Sequence, residues 1–237
     1  MTKLFDQPRR VLRALGRFAR DPAYRSEWRA RLSPRRGSFQ PFNLTRSDRY
    51  PFIFRRAAQA LSPTGPLHIL SFGCSVGDET FTLRTYFPNA VIKGIDVNPA
   101  NIRIAARRLA RAPDARMTFV VGDSTAAEAS ESYDAIFCMA VLRHGRLSRP
   151  EVERCDPLLD FADFARVTAD FMRCLRPGGL LVLRHSNFRF ADAPAYAAFD
   201  LVVRVPQSGR ITPQFGPDNR RMPDAAFEET IFRKRAF

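Results

Sequence analysis

The sequence has few cysteines and no long apolar run, and both shortages exclude classes of protein. Four cysteines occur among 237 residues and none of them forms a CxxC pair. Neither a zinc site of common spacing nor a disulfide framework is therefore expected. No apolar stretch of about 18 residues occurs, so no transmembrane segment is predicted. The beginning of the chain also lacks the apolar core of a secretory signal. These absences predict a cytoplasmic protein without a metal site.

Acidic residues are outnumbered, and the imbalance is concentrated at one end of the chain. The formal net charge is +14, and residues 1–38 hold eleven Lys and Arg against three Asp and Glu. Apolar residues between Val11 and Ala19 recur at helical spacing with arginines on the other side, which predicts a basic amphipathic helix. Such a helix could pack on the rest of the chain as a lid. The lid is favoured by a small margin, because the apolar stripe is short, and the alternative is an anionic partner, either a nucleic acid or a lipid surface.

The chain is predicted to contain one substantial domain behind this basic segment. Proline and glycine interrupt the pattern over residues 32–43, which is typical of a linker, and a short helix is predicted over residues 50–62. With 45% hydrophobic residues, the remainder is long enough for a single core. We therefore divide the chain into a basic helical extension with its linker, residues 1–60, and a main domain, residues 61–237.

From residue 67 onward, strand-like apolar runs alternate with amphipathic helices. Helix starts are predicted at Asn98 and at Asp156, because each is a capping residue followed by proline. The alternation predicts an α/β fold with a doubly wound, mostly parallel, seven-stranded Rossmann-like sheet. The last two runs lack a helix between them and predict an antiparallel pair at the C-terminal edge. The predicted strands cover residues 67–72, 90–96, 117–123, 133–139, 180–186, 199–205 and 228–236.

Small residues follow the first predicted strand in the stretch FGCSVGDE. Gly73 permits a sharp turn, and the small residues Ser75 and Gly77 let the backbone approach a ligand closely. Asp96 ends the second strand, where a carboxylate can accept hydrogen bonds from both hydroxyls of a ribose. The two features together predict a site for a nucleoside-bearing cofactor.

The spacing of the glycines distinguishes between two such cofactors. A dinucleotide-binding loop has the pattern G-x-G-x-x-G, but Ser75 and Asp78 occupy the second and third glycine positions counted from Gly73. A carboxylate is unfavourable beside a pyrophosphate. S-adenosylmethionine has no phosphate and carries an ammonium group that an acid would stabilise. The charges therefore favour S-adenosylmethionine, and an NAD-linked oxidoreductase is the less favoured alternative.

Five segments resemble, in order, the motifs of the class I S-adenosylmethionine-dependent methyltransferases. The resemblance covers residues 65–185, and the loop FGCSVGDE is similar to the cofactor loop of the chemotaxis-receptor methyltransferases in that superfamily. Ser71 lies where many members carry an acidic residue. The segments that follow the loop are GIDVN, VVGDST, YDAIFCMAVLRHG and LRPGGLLVL.

The resemblance implies a role for each matching residue. Asp96 would bind the ribose hydroxyls, Val97 would contact the adenine, and Asp123 would accept a hydrogen bond from the adenine amino group. Asp78 or Glu79 would neutralise the cofactor's ammonium group. Further cofactor contacts would come from the loop and from the ends of the third and fourth strands, at Gly73, Cys74, Ser75, Gly77, Ser124, Cys138, Met139 and Ala140.

The resemblance also implies a methyltransferase, and we expect its acceptor to be a small molecule. His144, after the fourth strand, is the candidate general base, with a purely structural role as the alternative. His185 follows the fifth strand, where it would face the substrate or serve as an ordinary loop residue. An RNA- or protein-directed methyltransferase that uses the basic segment is the alternative function. It is less favoured because no Asn-Pro-Pro-Tyr-type motif and no receptor-docking domain occur.

Overall fold

The computed structural model describes residues 47–61, 65–156, 158–207 and 211–236, together with residues 16, 18–20 and 39. The predicted basic helix and linker therefore lie mostly outside the described residues, although residues 16 and 18–20 are helical. Within the described part of the chain, no helix combines the length and the apolar composition that crossing a membrane requires.

The main domain alternates strands and helices along the described chain. Three short 3₁₀ turns occupy Gly145–Ser148, Phe190–Asp192 and Pro194–Ala198. The longer elements are α1 (Pro51–Ala60), β1 (His68–Phe72), α2 (Asp78–Tyr86), β2 (Val91–Asp96), α3 (Pro99–Arg111), β3 (Met117–Val121), β4 (Tyr133–Met139), α4 (Phe161–Cys174), β5 (Leu175–Arg184), β6 (Phe199–Pro206) and β7 (Phe227–Lys234).

These strands form one seven-stranded sheet in the order β3-β2-β1-β4-β5-β7-β6. The strands from β1 to β5 pair in parallel, whereas β7 lies between β5 and β6 and is antiparallel to both. The predicted fold class and the predicted antiparallel C-terminal pair are both confirmed. The strand order reverses between β1 and β4, and in open sheets a ligand binds outside the carboxyl ends of the strands at that point.

One predicted helix boundary is wrong, and the reason is a tertiary contact. The helix expected to begin at Asp156 begins at Phe161, with the side chain of Asp160 as its cap. Asn219, from a distant loop, accepts a hydrogen bond from the Phe161 backbone N–H at 2.9 Å, which satisfies another donor of the first turn. Asp156 instead forms an ion pair with Arg154. No local sequence pattern indicates the contribution of Asn219.

Hydrophobic residues are buried on both faces of the sheet. Successive residues of β4 alternate between a cluster on the α4 side and a second cluster on the side of α1 and α2. Phe54 of α1 is buried in the second cluster, with its ring centroid 5.8 Å from that of Phe137 in β4. Helix α1 thus packs on the sheet. The domain boundary proposed between residues 60 and 61 falls at the C-terminal end of this helix.

Candidate functional site

The loop after β1 folds back over the end of β2. The backbone N–H groups of Gly73 and Cys74 both donate to the carbonyl of Ile95, at 2.8 and 2.9 Å. The N–H of Gly77 then donates to the carbonyl of Cys74 at 2.9 Å, which closes the turn before α2 begins. Both glycines have positive φ values, +74° at Gly73 and +90° at Gly77, in a region that side chains disfavour. The predicted sharp turn is therefore present.

Gly73 is required by a close approach between two loops of the protein. A Cβ atom at this position would lie 2.3 Å from Cγ2 of Val141, in the loop after β4. At Gly77, the nearest atom to such a Cβ would be Cζ of Phe119, at 3.1 Å. The close approaches at the two glycines thus bring the loop after β1 against the loop after β4 and against the middle of β3. In open parallel sheets, the crevice that binds a ligand lies outside the carboxyl ends of the strands.

Asp96 ends β2, and hydrogen bonds fix the orientation of its carboxylate. Its Oδ2 atom accepts a hydrogen bond from the backbone N–H of Ser75 at 2.8 Å. Its Oδ1 atom accepts from the N–H of Asn98 at 2.9 Å and from Nδ2 of Asn101 at 3.1 Å. Burial raises the pKa of Asp96, while these three donors oppose that shift. The carboxylate predicted to bind ribose is thus pre-oriented between the loop and α3.

Glu79 provides a second carboxylate, in the first turn of α2. Its Oε1 accepts a hydrogen bond from the hydroxyl of Ser71 in β1 at 2.8 Å. Burial raises the pKa of Glu79 to about 7, although Ser71 and the charge of Arg49 act in the opposite direction. The residue nevertheless retains accessible surface. Glu79 thus holds its carboxylate beside β1 and keeps some surface through which a ligand could contact it.

Asp78, the neighbouring acid, is committed elsewhere. Its Oδ1 lies 2.6 Å from Nη1 of Arg108 in α3. The same nitrogen donates to the carbonyl of Val76 at 2.7 Å, and the guanidinium lies over the ring of Phe81, 4.6 Å from its centroid. Of the two acids predicted to neutralise the cofactor's ammonium, Asp78 thus ties α2 to α3, and Glu79 is the one available for that role.

The residues expected beside the adenine differ in exposure. Val97, directly after Asp96, is partly buried, and Ser124 is also partly buried. Asp123, in the loop after β3, is exposed to solvent. The backbone N–H of Gly122 donates to the carbonyl of Asp96 at 3.1 Å and joins this loop to the end of β2. The loops after β2 and β3 therefore lie side by side, as an adenine site between them requires.

The residues expected near the reactive methyl lie at the end of β4. Cys138 is buried on the α4 side of the sheet, whereas Met139 is buried on the opposite side. Ala140 has a positive φ of +60° and keeps some exposure. Burial raises the pKa of the Cys138 thiol well above its usual value, and the same holds for Cys74 in the loop after β1. Neither thiol is a thiolate nucleophile, and both behave as small packing residues.

His144 is held by two hydrogen bonds that bear on its predicted role as a base. Its backbone N–H donates to Oδ1 of Asn187 at 2.7 Å, and its ring Nδ1 accepts from the N–H of Arg146 at 3.3 Å. Burial and the charge of Arg146 lower its pKa, which favours the neutral ring. A neutral ring whose Nδ1 accepts a hydrogen bond carries its proton on Nε2. Nε2 is then a donor, and this arrangement argues against a general base.

The structure adds a pair of aromatic side chains near the crevice. The ring of Tyr50, which precedes α1, has its centroid 5.7 Å from that of His185, the residue directly after β5. His185 has a positive φ of +54°, and its Nδ1 lies 3.0 Å from Oγ1 of Thr212. Burial and the charges of Arg184 and Arg143 lower the pKa of His185 to about 3, so its ring is neutral. Tyr50 is not among the predicted site residues, because nothing local in the sequence links it to β5.

Comparison with known proteins agrees with this geometry. Residues 70–181 match a family model described as a methyltransferase domain. The match supports the class I S-adenosylmethionine-dependent methyltransferase superfamily, whose motifs the sequence resembles. The matched segment runs from β1 into β5 and contains the glycine loop, Asp96 and the end of β4. The resemblance to this superfamily that the sequence motifs indicate is confirmed.

Two curated relatives and one solved structure illustrate the likeness. The chain is 29% identical to demethylmenaquinone methyltransferase of Thermus thermophilus, over 64% of this chain and 59% of that protein. It is 30% identical to trans-aconitate 2-methyltransferase of an Acidovorax species, over 52% of this chain and 40% of that protein. The chain thus spans about two fifths to three fifths of the length of these relatives. The YcgJ protein of Bacillus subtilis shares the fold, with a TM-score of 0.52, 9% identity, and coverage of 79% of this chain and 100% of that one.

The side chains at the ends of β1 and β2 fit S-adenosylmethionine. That cofactor presents hydrogen-bond donors and positive charge, and Asp96 and Glu79 present oriented carboxylates. Arg108, which contacts the loop through the carbonyl of Val76, is neutralised by Asp78. The loop thus offers acids rather than a free cation of the kind that favours a pyrophosphate.

Proposed function

We propose that this protein transfers a methyl group from S-adenosylmethionine to a small-molecule acceptor. The observation that carries the proposal is the Asp96 carboxylate, fixed 2.8 Å from the Ser75 N–H at the end of β2. This is where a class I methyltransferase needs an acceptor of the ribose hydroxyls. The two curated relatives are named for small-molecule acceptors, which supports the same acceptor class here.

The described residues suggest how the cofactor is held. Asp96 accepts from the ribose hydroxyls, Glu79 neutralises the ammonium group, and Val97 and Asp123 contact the adenine. The loop after β4, from Ala140 onward, lies against the reactive end. When bound, S-adenosylmethionine supplies an electrophilic methyl group, so the protein contributes chiefly by aligning the acceptor. Nε2 of His144 acts in this account as a hydrogen-bond donor that positions the acceptor.

Isotope transfer tests the reaction and its acceptor class together. Full-length protein is incubated with S-adenosylmethionine labelled in the methyl group and a fractionated cell extract, beside an Asp96→Ala variant. We expect label in the small-molecule fraction with the wild type only. Label in the RNA or protein fraction would support the alternative of a macromolecular acceptor. Equal labelling by the variant would contradict the role of Asp96.

The partner of the basic segment and the cellular compartment stay predictions. Residues 1–38 carry the concentrated positive charge that an anionic partner would recognise. Deletion of this segment should abolish a salt-dependent affinity for RNA, and unchanged binding would remove the idea. We infer a cytoplasmic location because all four cysteines are free and buried thiols, as a reducing compartment allows: Cys74, Cys138, Cys155 and Cys174.

A further inference from the structure

A cavity of about 340 Å³ lies on the β5, β6 and β7 half of the sheet. Leu183 near the end of β5, Arg204 near the end of β6, and Phe227 and Glu228 at the start of β7 all line it. Because β7 is antiparallel, its start lies beside the ends of β5 and β6. The cavity therefore opens at the carboxyl-terminal edge of the sheet, the same edge that carries the cofactor loops.

The wall of this cavity is hydrogen-bonded to the loop after β4. Ser186 lines the cavity, and its hydroxyl donates to the carbonyl of Leu142 at 3.3 Å. The backbone N–H of Asn187 donates to the same carbonyl at 2.9 Å, and its side chain accepts from the N–H of His144. The loop expected beside the reactive methyl is thus continuous with the cavity wall. A molecule in the cavity can present an atom toward that loop.

The basic side chains of the cavity are already paired. Arg189 makes two hydrogen bonds to the carboxylate of Asp192, at 2.9 and 2.8 Å. Arg204 lies 3.1 Å from Oε1 of Glu229. An anionic ligand would therefore meet guanidinium groups whose charge is already offset by a neighbouring carboxylate. The rest of the lining is largely apolar and aromatic, from Leu183, Phe188, Phe190, Ala226 and Phe227.

Glu228 is the buried carboxylate among the residues that line the cavity. The residue is 4% exposed, and its Oε1 accepts from the N–H of Ser186 at 3.2 Å. Its Oε2 lies 3.0 Å from Nη1 of Arg184 and 3.8 Å from Nδ1 of His185, but within the described part of the chain it accepts no hydrogen bond of good geometry. The guanidinium of Arg184 instead donates to the carbonyls of Val205 and Pro206. A buried carboxylate oxygen without a donor is costly, and a ligand donor would relieve that cost.

We propose that this cavity binds the methyl acceptor, and that the acceptor is a neutral, largely apolar molecule whose hydroxyl or amine N–H donates to Oε2 of Glu228. The inference rests on the proposed methyltransferase function and adds a substrate class to it. Burial raises the pKa of Glu228 while the charge of Arg184 lowers it, and the ionised carboxylate is a strong acceptor. A carboxylate or phosphate brought beside Glu228 is repelled by it.

Binding of three matched probes tests this substrate class. Full-length protein saturated with S-adenosylhomocysteine is titrated with 2-naphthol, with 2-methoxynaphthalene, which lacks the donor, and with 2-naphthoate, which is an anion. We expect 2-naphthol to bind about tenfold more tightly than 2-methoxynaphthalene, because only the hydroxyl can donate to a charged acceptor. We expect 2-naphthoate to bind more weakly than either. Equal or tighter binding of 2-naphthoate would overturn the proposal.

Two variants locate the probe. Phe227→Ala removes an aromatic side chain that lines the cavity and is 56% exposed, and we expect 2-naphthol affinity to fall about fivefold. Phe52→Ala, on α1, removes an equally exposed ring (54%) outside the cavity lining and should leave the affinity unchanged. Equal effects of the two variants would contradict the assignment of the cavity.

A third variant examines the hydrogen bond itself. Glu228→Gln should reduce the preference for 2-naphthol over 2-methoxynaphthalene to within about threefold, because a neutral acceptor binds a hydroxyl less strongly. An unchanged preference would exclude Glu228 as the anchor. If this variant does not fold, the three probes and the phenylalanine pair still decide the proposal. Protein that binds S-adenosylhomocysteine but not 2-naphthol would refute only the cavity, whereas failure to bind S-adenosylhomocysteine would refute the proposed function.

Discussion

The hydroxyl of Ser71 donates a hydrogen bond to Oε1 of Glu79 at 2.8 Å. Ser71 lies near the end of β1, where many class I methyltransferases carry an acidic residue, and Glu79 lies eight positions later in α2. The contact places a carboxylate beside β1 although the local sequence has none there. We infer that the Glu79 carboxylate takes the place of the acidic side chain that is missing at position 71. We also infer that this carboxylate binds the ammonium group of the cofactor.

Cofactor affinity should depend on the ionisation of Glu79. Its pKa of about 7 means that acidification to pH 5.5 protonates it, while an α-amino group with a pKa near 8 stays charged. We expect S-adenosylhomocysteine to bind about tenfold more weakly at pH 5.5 than at pH 7. Glu79→Gln should bind weakly at both values, and calorimetric titration measures all four affinities. Glu151→Gln, at an exposed position, is the control, and pH dependence that persists in Glu79→Gln would contradict the assignment.

The titrations of His185 and Glu79 should contribute with opposite signs to the pH dependence of the free energy of unfolding. The unfolded chain binds a proton at His185 between pH 3 and 6.5 that the folded protein excludes, so this residue lowers stability as the pH falls. At Glu79 the folded protein retains a proton between pH 4.5 and 7 that the unfolded chain releases, so its contribution is lost as the pH rises. Each slope is at most about 1.4 kcal/mol per pH unit.

Two variants separate these contributions. Relative to the wild type, His185→Asn should lower the slope of unfolding free energy against pH between 5 and 6.5, and Glu79→Gln should raise it. Asparagine tolerates the positive φ of +54° at position 185 better than most residues. Urea denaturation at three pH values in that window provides the slopes. Parallel curves for the wild type and both variants would show that neither group titrates as described.

Because Gly73 lies so close to Val141, a side chain at position 73 should lower the free energy of unfolding. Gly73→Ala adds a methyl 2.3 Å from Cγ2 of Val141, in a backbone with φ of +74°. Gly178→Ala is the matched control, because φ is +78° there and nothing lies within 4 Å of the added carbon. We expect Gly73→Ala to be less stable than Gly178→Ala by about 1–3 kcal/mol, the cost of overpacking.

A second substitution should relieve that clash. Combining Gly73→Ala with Val141→Ala removes the opposing methyl groups, so the two changes should be coupled by about 1–2 kcal/mol in a double-mutant cycle. Thermal or urea unfolding provides the four stabilities. Additive effects would indicate that backbone strain alone, and not the contact between the two loops, limits position 73.

Local sequence signals placed several elements of the fold correctly. The run at residues 133–139 coincides with β4, because a continuous apolar segment bounded by polar residues is typical of a buried parallel strand. Asn98 caps α3 as predicted, since its side chain accepts from the N–H of Ala100 at 3.0 Å. The position of Asp96 was also predictable from the local sequence, because it ends a predicted strand that follows the glycine loop.

The remaining features depend on contacts between distant parts of the chain. Arg108 pairs with Asp78, which lies 30 positions away in the sequence, and this pair leaves Glu79 as the available acid. Tyr50 meets His185 only because α1 packs on the sheet. Glu228 reaches the carboxyl-terminal edge because β7 inserts between β5 and β6, an order that strand patterns along the sequence do not indicate.

The central claim, that the loop and Asp96 bind S-adenosylmethionine, is tested most directly by calorimetric titration of the full chain. S-adenosylmethionine, S-adenosylhomocysteine and NAD are titrated into the wild type, Asp96→Ala, and the exposed control Asp163→Ala. We predict micromolar binding of the two sulfur nucleosides, at least about tenfold weaker in Asp96→Ala, unchanged in Asp163→Ala, and no binding of NAD. Folded wild-type protein that binds neither sulfur nucleoside, or an Asp96→Ala variant that binds them as tightly, would contradict the account.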